Sequence, residues 1–287
     1  MAWRARREAL RAVLAGGACV RPASVYDAIS VRIAEDIGFP VGMLGGSVAS
    51  LAVLGDPDLI LITLSELAEQ VRRMSRAAAL PVLVDADHGY GNALNVRRTV
   101  EELEAAGAAG LTIEDTLLPP AFGAAGPQLV SLQEGIGKMK AALDARRDPA
   151  LVIAGRTGAA GISSVDDAIV RAQAYEAAGV DALFFTGLTT KADLAAVAAA
   201  TRLPIIVGSP GAELDDRSFL AGQRVRIAVQ GHAPIAAATL AVYEVLQAIY
   251  QDTDPKTLKN IASNELMAKV SRSAATARRR TELLGHG

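Results

Sequence analysis

Short apolar runs recur along the first four-fifths of the chain, and segments with helical spacing separate them. Each run is rich in β-forming residues or bounded by glycine and proline, which is typical of buried strands. Several of the intervening segments end at glycine, a usual helix stop. The pattern predicts eight strands, within residues 19–25, 41–46, 81–87, 110–115, 151–157, 182–187, 204–209 and 225–230.

The regular alternation of strands and helices indicates the fold class. Eight strand–helix units predict an α/β protein, a (β/α)8 barrel of the TIM type, and a doubly wound open sheet is the alternative. The pattern ends near residue 230, residues 234–250 read as the eighth helix, and residues 252–287 as a C-terminal helical tail. We expect one barrel domain over residues 1–287, with extra C-terminal helices that pack on a neighbouring subunit.

Composition narrows the class of protein. The chain has 287 residues, a net charge of -2 and 51% hydrophobic residues, which gives no basic footprint for nucleic acid. No unbroken apolar run reaches the roughly 18 residues of a membrane helix. The one cysteine, Cys19, rules out an intrachain disulfide. The spacing of Trp3, Leu10 and Leu14 predicts an amphipathic helix rather than a signal peptide. We expect a cytoplasmic protein without nucleic-acid or membrane partners.

Candidate chemistry lies where the strands end. In a barrel of this type the active site is formed at the C-terminal ends of the strands. Asp85 and Asp87 are two residues apart, so on one strand they would point the same way. The residues at these ends are Gly45, Gly46, Ser47, Asp85, Asp87, Glu114, Asp115, Arg156, Gly208, Ser209, Gly231 and His232.

The acids at neighbouring strand ends predict a divalent cation. Asp85, Asp87 and Glu114 would repel one another and lose hydration in a dry pocket, and a cation relieves both costs. Mg²⁺ prefers oxygen ligands and keeps several waters, so one or two direct carboxylates suffice. A single aspartate at a strand end is often a helix cap or a turn residue. The pair together with Glu114 favours a metal site.

Other strand ends allow two interpretations. The Arg156 guanidinium fits a substrate carboxylate, or it forms an internal ion pair with one of the acids. Gly45, Gly46 and Ser47 offer close backbone approach and a hydroxyl donor, or only a tight turn. His232 follows the last strand, where a structural and a catalytic role are both open.

Three further observations concern a loop acid and two rival kinds of site. Asp58 lies in a proline-containing loop, where turn chemistry alone accounts for it. No predicted strand end carries a lysine, which counts against a Schiff-base aldolase. Residues 208–211 are glycine-rich, like phosphate-binding turns of some barrels, but no phosphate-specific motif accompanies them.

Six motifs carry a resemblance to a known family: LGGSVAS, GDPD, DADHGYGN, TIEDTLLP, GRTG and QGHAP. Over nearly the whole chain, in order and spacing, they resemble the isocitrate lyase and phosphoenolpyruvate phosphonomutase superfamily, most of all its bacterial oxaloacetate decarboxylase branch. The resemblance implies a (β/α)8 barrel, usually tetrameric, with the last helix swapped onto a neighbour. It also implies Mg²⁺, with Mn²⁺ as a substitute, and an α-keto or α-hydroxy acid ligand.

The resemblance assigns roles residue by residue. It implies that Asp85 is the direct metal ligand, and that Asp87 and Glu114 hold metal-bound waters. Asp58 would be a loop acid near the metal. The implied substrate-binding residues are Ser47, Arg156 and His232, beside the backbone of Gly45 and Gly46.

The sequence also departs from the family pattern. Members that cleave carbon–carbon bonds by proton transfer carry a Lys-Arg-Cys-Gly-His motif in the loop after the fourth strand. Residues 116–130 of this chain contain no cysteine, lysine or histidine, which counts against isocitrate or methylisocitrate cleavage. Gly158 stands where the superfamily commonly has asparagine or aspartate, and the seventh strand lacks the tyrosine of some decarboxylase relatives.

These observations lead to a functional hypothesis. The chain would be a carboxy-lyase that decarboxylates oxaloacetate to pyruvate and CO₂ through a metal-stabilised enolate, with Asp85, Arg156 and His232 as catalytic residues. Residues 116–130 would form a lid, or an ordinary surface loop. The alternatives are a carbon–carbon lyase or hydrolase of a related diacid, a phosphonomutase, and a non-catalytic binding protein.

Overall fold

A computed structural model describes residues 3–208 and 210–285 of the chain. Ser209, expected at the end of the seventh strand, lies outside the described residues. The chain divides into two compact units, one ending at Gly231 and the other beginning at His232. Each unit is considered by itself.

The first unit is built on a parallel sheet, with eight strands in the part of the chain that the structure describes. Each strand lies within one of the predicted runs, and the strands neighbour one another in chain order, which excludes the doubly wound alternative. The strands are β1 (Ala23–Ser24), β2 (Gly42–Leu44), β3 (Val82–Asp85), β4 (Gly110–Glu114), β5 (Val152–Thr157), β6 (Ala182–Phe185), β7 (Ile205–Gly208) and β8 (Val225–Val229).

The last strand is joined to the segment ahead of the first. Val20 forms a parallel bridge with Ile227. The Val20 N–H donates to the Arg226 carbonyl, and the Ala228 N–H donates to the Val20 carbonyl, each at 2.9 Å. These bonds close the ring, so the predicted (β/α)8 barrel is confirmed.

Helices connect the strands in the predicted alternation. They are α1 (Arg4–Ala15), α2 (Ala28–Ile37), α3 (Gly46–Leu54), α4 (Leu64–Ala77), α5 (Ala93–Ala106), α6 (Leu132–Ala145), α7 (Ala159–Ile162), α8 (Val165–Ala178), α9 (Lys191–Ala199) and α10 (Arg217–Gly222). Local sequence sets several of their ends. Asp27 and Thr63 begin α2 and α4 with capping boxes, and left-handed Gly38, Gly107 and Gly179 end α2, α5 and α8.

The N-terminal helix packs against the interior of the barrel. Leu10 and Leu14 of α1 are buried in the same apolar cluster as Met43, Leu83 and other strand residues. A Cβ on Gly110, the first residue of β4, would lie 2.8 Å from Leu10 Cδ2. The amphipathic helix predicted here is confirmed, and it covers the N-terminal end of the barrel, which leaves the other end for chemistry.

The second unit contains three α-helices among its described residues: α11 (Ala233–Tyr250), α12 (Asn264–Ser271) and α13 (Ser273–Leu284). The first of them is the predicted eighth helix, and none of its residues is buried. Its large exposed apolar side chains are Leu240, Val242, Tyr243, Leu246, Ile249 and Tyr250.

By length and composition alone, α11 is also long and apolar enough to cross a membrane. Its 18 residues have a mean hydropathy of 1.3. A search for unbroken apolar runs misses it because Glu244 and Gln247 interrupt the helix. One such helix is weak support for a membrane span, because helices that pack inside proteins have the same composition.

Candidate active site

Three charged side chains meet where the central strands of the barrel end. Asp85 is the last residue of β3, Glu114 is the last residue of β4, and Arg156 lies one residue before the end of β5. The parallel register places Asp85 beside Thr112 and Glu114 beside Arg156. Side chains alternate along a strand, so Thr112 and Glu114 face the same side of β4.

Arg156 forms ion pairs with both acids. Its Nη1 lies 2.6 Å from Asp85 Oδ2, and its Nη2 lies 3.3 Å from Glu114 Oε2. The guanidinium carbon is 5.3 Å from the centre of the Phe184 ring, a cation–π contact. The internal ion pair considered from the sequence is therefore present. Arg156 Nε is nevertheless buried without a hydrogen-bond partner, so one donor of the guanidinium remains for a ligand.

Thr112 holds the other oxygen of Asp85 and was missed in the sequence. Its Oγ1 donates to Asp85 Oδ1 at 3.0 Å, and the Asp87 backbone N–H reaches the same oxygen at 3.3 Å. A polar residue two positions before Glu114, within an otherwise apolar strand, was the available signal.

Asp87 reaches the site by a route that differs from the prediction. β3 ends at Asp85, and Asp87 has a left-handed backbone with φ 46°, so the two acids do not share one strand. The Asp87 carboxylate packs against the start of α3, where a Cβ on Gly46 would overlap Asp87 Oδ1. Gly46 is therefore required by close approach of the carboxylate.

The acids form one electrostatic cluster. Burial raises the pKa of Asp87 well above its ordinary value, and the carboxylates of Asp85, Asp58 and Glu114 raise it further. Burial likewise raises the pKa of Glu114, although Arg156 opposes this. Burial acts to lower the pKa of Arg156, but Asp85 and Glu114 more than offset that effect and raise it. The cluster holds more negative charge than Arg156 can neutralise, so a further cation is favoured.

The chemistry of the donors fits Mg²⁺. The cluster offers buried carboxylate oxygens and a threonine hydroxyl, which are hard ligands. Among residues 3–208 and 210–285, no three His, Cys, Asp or Glu side chains converge closely enough to hold a metal alone.

The remaining predicted site residues lie on two different elements. Gly45 caps α3, and Gly46 and Ser47 are its first two residues, with Gly46 buried and Ser47 half-buried. A helix start of this kind directs backbone N–H groups towards an anion. His232 is the N-cap residue of α11 and the first residue of the second unit. Its role in the site stays a prediction.

Asp115, the other acid in the TIED motif, is not part of the acid cluster. It is fully buried, and its Oδ2 accepts hydrogen bonds from Tyr175 Oη at 2.6 Å and Arg171 Nη1 at 3.0 Å. Arg171 Nη1 also donates to the Val130 carbonyl at 3.2 Å. Alternation along β4 directs Glu114 and Asp115 to opposite sides, so Asp115 anchors α8 and the following loop.

The loop over residues 116–130 leaves the barrel and returns at the same place. Thr116 bridges Leu129 in antiparallel fashion, and the Val130 N–H donates to the Asp115 carbonyl at 2.8 Å. Nearly all residues between these anchors are exposed, with Phe122 fully so. A pinned base and an exposed tip are compatible with both a lid and a surface loop, so gating stays a prediction.

Several known proteins are similar to this chain in sequence and in fold. Residues 10–250 match the family model described as phosphoenolpyruvate phosphomutase. The chain is 74% identical over 285 residues to a Rhodopseudomonas palustris protein named oxaloacetate decarboxylase, covering 99% of each chain. It is 70% identical, with the same coverage, to a Bradyrhizobium diazoefficiens protein of that name. A solved phosphonopyruvate hydrolase complex with oxalate and Mg²⁺ superposes with a TM-score of 0.85 at 28% identity, covering 97% of this chain and 99% of that one.

Proposed function

The chain belongs to the phosphoenolpyruvate phosphomutase family, and from that premise we propose that it decarboxylates oxaloacetate to pyruvate and CO₂. The observation that carries the proposal is the full-length match to relatives named for this reaction. The acid cluster and Arg156 supply the chemistry that the reaction requires.

The acid cluster holds the metal in this proposal. Asp85 would bind it directly, Asp87 and Glu114 would hold its waters, and Asp58 would approach from the loop between α3 and α4. When bound, the cation, Mg²⁺ or Mn²⁺, would supply Lewis-acid polarisation of the C2 ketone. Thr112 orients Asp85 by occupying its second oxygen.

Arg156 and the start of α3 position the substrate. The Arg156 Nε is the buried donor without a partner, and a substrate carboxylate satisfies it. The N–H groups of Gly46 and Ser47 at the start of α3 bind the second carboxylate together with the Ser47 hydroxyl. Holding both carboxylates fixes the C3–C4 bond in the orientation that lets it break.

The bond changes need no base to begin. The C3–C4 bond breaks, its electron pair moves towards C2 and the ketone oxygen, and CO₂ departs. A proton must then reach C3 to give pyruvate, and His232 or water delivers it. The absence of cysteine, lysine and histidine from residues 116–130 is therefore compatible with this reaction, whereas proton-transfer lyases need that acid.

Assembly with further copies of the chain is part of the proposal. α2 exposes Ile29, Ile33 and Ile37, one apolar stripe at helical spacing, and α11 exposes a second apolar face. Contiguous apolar surface of this kind marks protein contacts. A homotetramer in the cytoplasm, with α11 covered by a neighbouring subunit, accounts for both faces without a membrane or nucleic-acid partner.

The decisive experiment measures pyruvate formation from oxaloacetate with Mg²⁺. Free metal ions decarboxylate oxaloacetate unaided, so Asp85→Asn protein at equal metal is the matched control. We expect turnover in the unaltered enzyme that chelator and Asp85→Asn both abolish. Equal rates for the two proteins would refute oxaloacetate as the substrate.

A substrate panel separates the alternatives. Substituted malates, isocitrate and methylisocitrate test for a carbon–carbon lyase, and phosphonopyruvate tests for phosphorus–carbon chemistry. We expect none of them to be turned over faster than oxaloacetate. Turnover of any of these compounds that depends on Asp85, without oxaloacetate decarboxylation, would keep the metal site and replace the reaction.

A further inference from the structure

The turn after β3 has an unusual backbone. Asp87, Gly89, Tyr90 and Gly91 all have positive φ, with values of 46°, 79°, 61° and 143°. Glycine adopts such angles freely, but a bulky aromatic residue such as Tyr90 does so only at a cost in free energy. The fold therefore holds Tyr90 in a conformation that the isolated chain would avoid.

The turn is fixed by hydrogen bonds to three consecutive carbonyls. The Glu114 N–H donates to the Asp87 carbonyl at 2.8 Å. Lys138 Nζ, which is buried, donates to the His88 carbonyl at 2.9 Å, and Thr99 Oγ1 donates to the Gly89 carbonyl at 3.0 Å. These bonds hold the backbone of residues 87–89, the segment that leads directly into Tyr90.

The Tyr90 hydroxyl is buried and lacks a hydrogen-bond partner. A buried hydroxyl without a partner costs free energy, and the cost is usually avoided unless a ligand or water completes the bond. Tyr175, whose side chain is fully buried, donates to Asp115, so unsatisfied hydroxyls are not a general feature of this interior. Backbone strain and an unused donor thus occur at the same residue.

The Tyr90 hydroxyl lies within the field of the acid cluster. Burial raises the pKa of this phenol, and the charges of Asp87, Asp85 and Asp58 raise it further. The hydroxyl therefore keeps its proton and acts only as a donor or as a neutral acceptor. Tyr90 also lines a cavity of about 450 Å³ with residues 60–65, the segment that follows Asp58.

From this geometry we propose that Tyr90 is a ligand-binding residue of the acid cluster. Its hydroxyl donates a hydrogen bond to an oxygen atom that enters with the ligand, either an oxygen of the dicarboxylate or a water carried by the metal. The proposal rests on the proposed function, because it requires a metal and an oxyanion in this site. The strained, triply held turn aims the donor before the ligand arrives, so no reorientation is needed on binding.

The test uses Tyr90→Phe, which removes only the hydroxyl and keeps the ring. Two affinities are measured by titration calorimetry: that of Mn²⁺ alone and that of oxalate in saturating Mg²⁺. We expect the variant to bind oxalate roughly tenfold more weakly, the effect of one hydrogen bond to a charged group. Unchanged Mn²⁺ affinity assigns the bond to the dianion, and an equal loss for Mn²⁺ alone assigns it to a metal-bound water.

Controls separate this proposal from structural damage and from failure of the proposed function. Tyr250→Phe removes a hydroxyl at the end of α11, in the second unit, and should leave both affinities unchanged. Unchanged affinities for both probes in Tyr90→Phe, with normal binding by the unaltered enzyme, would overturn the Tyr90 proposal alone. Binding of neither probe by the unaltered enzyme would overturn the metal site itself, and the Tyr90 proposal with it.

A kinetic readout adds a second criterion. A binding role predicts a higher KM for oxaloacetate in Tyr90→Phe, together with a melting temperature no lower than that of the unaltered enzyme, because the lost hydroxyl had no partner. A lower melting temperature with unchanged KM would instead indicate that the hydroxyl has only a structural role.

Discussion

Arg156 pairs with Asp85 across the intervening strand β4, at 2.6 Å, so side chains from two strands that are not neighbours meet at the barrel mouth. The same guanidinium lies 3.3 Å from Glu114 on that intervening strand. One cation therefore links three consecutive strands at the point where the acids would otherwise repel one another. The stability of the barrel depends on this arrangement, and so does the metal affinity that we propose.

Removing Arg156 should destabilise the protein in a way that metal reverses. Arg156→Met leaves two largely buried carboxylates without their cation, and we expect the free energy of unfolding to fall by roughly 3 kcal/mol. Urea denaturation measures it, with and without Mg²⁺. Mg²⁺ should stabilise Arg156→Met more than the unaltered enzyme. In an Asp85→Asn background the same change should cost less, and an equal cost in both backgrounds would contradict the coupling.

Thr112 should act through Asp85 rather than through the substrate. Thr112→Val removes the hydrogen bond to Asp85 Oδ1, and we expect kcat/KM to fall roughly tenfold because a ligand's supporting bond is lost. Thr112→Ser keeps a hydroxyl and should retain most of the activity. Metal affinity, measured alongside, should fall by a similar factor in Thr112→Val only.

Two glycine-to-alanine changes should affect different properties. Gly46→Ala should lower kcat, whereas Gly137→Ala should raise stability. In Gly46→Ala the new Cβ overlaps Asp87 Oδ1, so the carboxylate must move, and we expect at least about a tenfold loss of kcat. In Gly137→Ala, on α6, the new Cβ meets open space. That helix should gain roughly 0.5–1 kcal/mol of stability with unchanged kcat. Full activity in Gly46→Ala would contradict the close packing of Asp87.

The partly buried Arg7–Asp148 pair predicts a pH dependence of stability. A hydrogen bond from Arg7, at 2.8 Å, lowers the pKa of Asp148 below its ordinary value. The pair therefore stabilises the fold above the unfolded-state pKa of about 4, and this contribution is lost as the pH falls through the lower folded-state pKa. The difference in free energy of unfolding between the unaltered protein and Asp148→Asn should be constant near neutral pH. It should shrink as the pH falls below about 4.

The control for this experiment is Glu8→Gln, a change on α1, the helix that carries Arg7. Glu8 pairs with Arg4, and both side chains are more than half exposed, so little stability depends on that pair. Thermal unfolding of the three proteins across the acid range provides the measurement. A difference for Asp148→Asn that did not change with pH would show that the carboxylate contributes only through its shape.

The apolar face of α11 should hold the assembly together. Leu246→Asp places a charge on that exposed face, and we expect the sedimenting mass to fall below that of the unaltered protein. Gln251→Asp adds the same charge at an exposed position beyond the helix and should leave the mass unchanged. A monomeric unaltered protein would contradict the proposed tetramer directly.

Much of the barrel was predictable because each strand can be recognised from its own local sequence. Runs such as 151–157 combine β-forming residues with glycine and proline boundaries. Because these runs alternate with helices along the chain, their order alone predicts a ring of parallel strands. The placement of Glu114 and Arg156 followed from the rule that chemistry lies at strand ends. The ion pair between Arg156 and the acids was one of two alternatives, and the charges alone did not decide between them.

Other details depend on tertiary contacts that a single sequence does not reveal. The position of Asp87 was wrong because β3 ends two residues earlier and the chain turns left-handed. In the sequence, Tyr90 is simply the residue between Gly89 and Gly91. Only the structure reveals that its hydroxyl is buried without a hydrogen-bond partner. Asp115 follows Glu114 directly, yet its partners Arg171 and Tyr175 lie 56 and 60 residues further along the chain.

The turn at residues 87–91 also limits how such a molecule can evolve. A side chain at Gly46 would overlap Asp87, one at Gly89 would overlap Val96, and one at Gly91 would overlap Asn95. A substitution at any of these glycines therefore requires a neighbouring side chain to move, and at Gly89 and Gly91 the positive φ adds strain. Most of residues 117–129, by contrast, are exposed and tolerate replacement. Substitutions should therefore be tolerated more readily in that loop than in the acid-bearing turn.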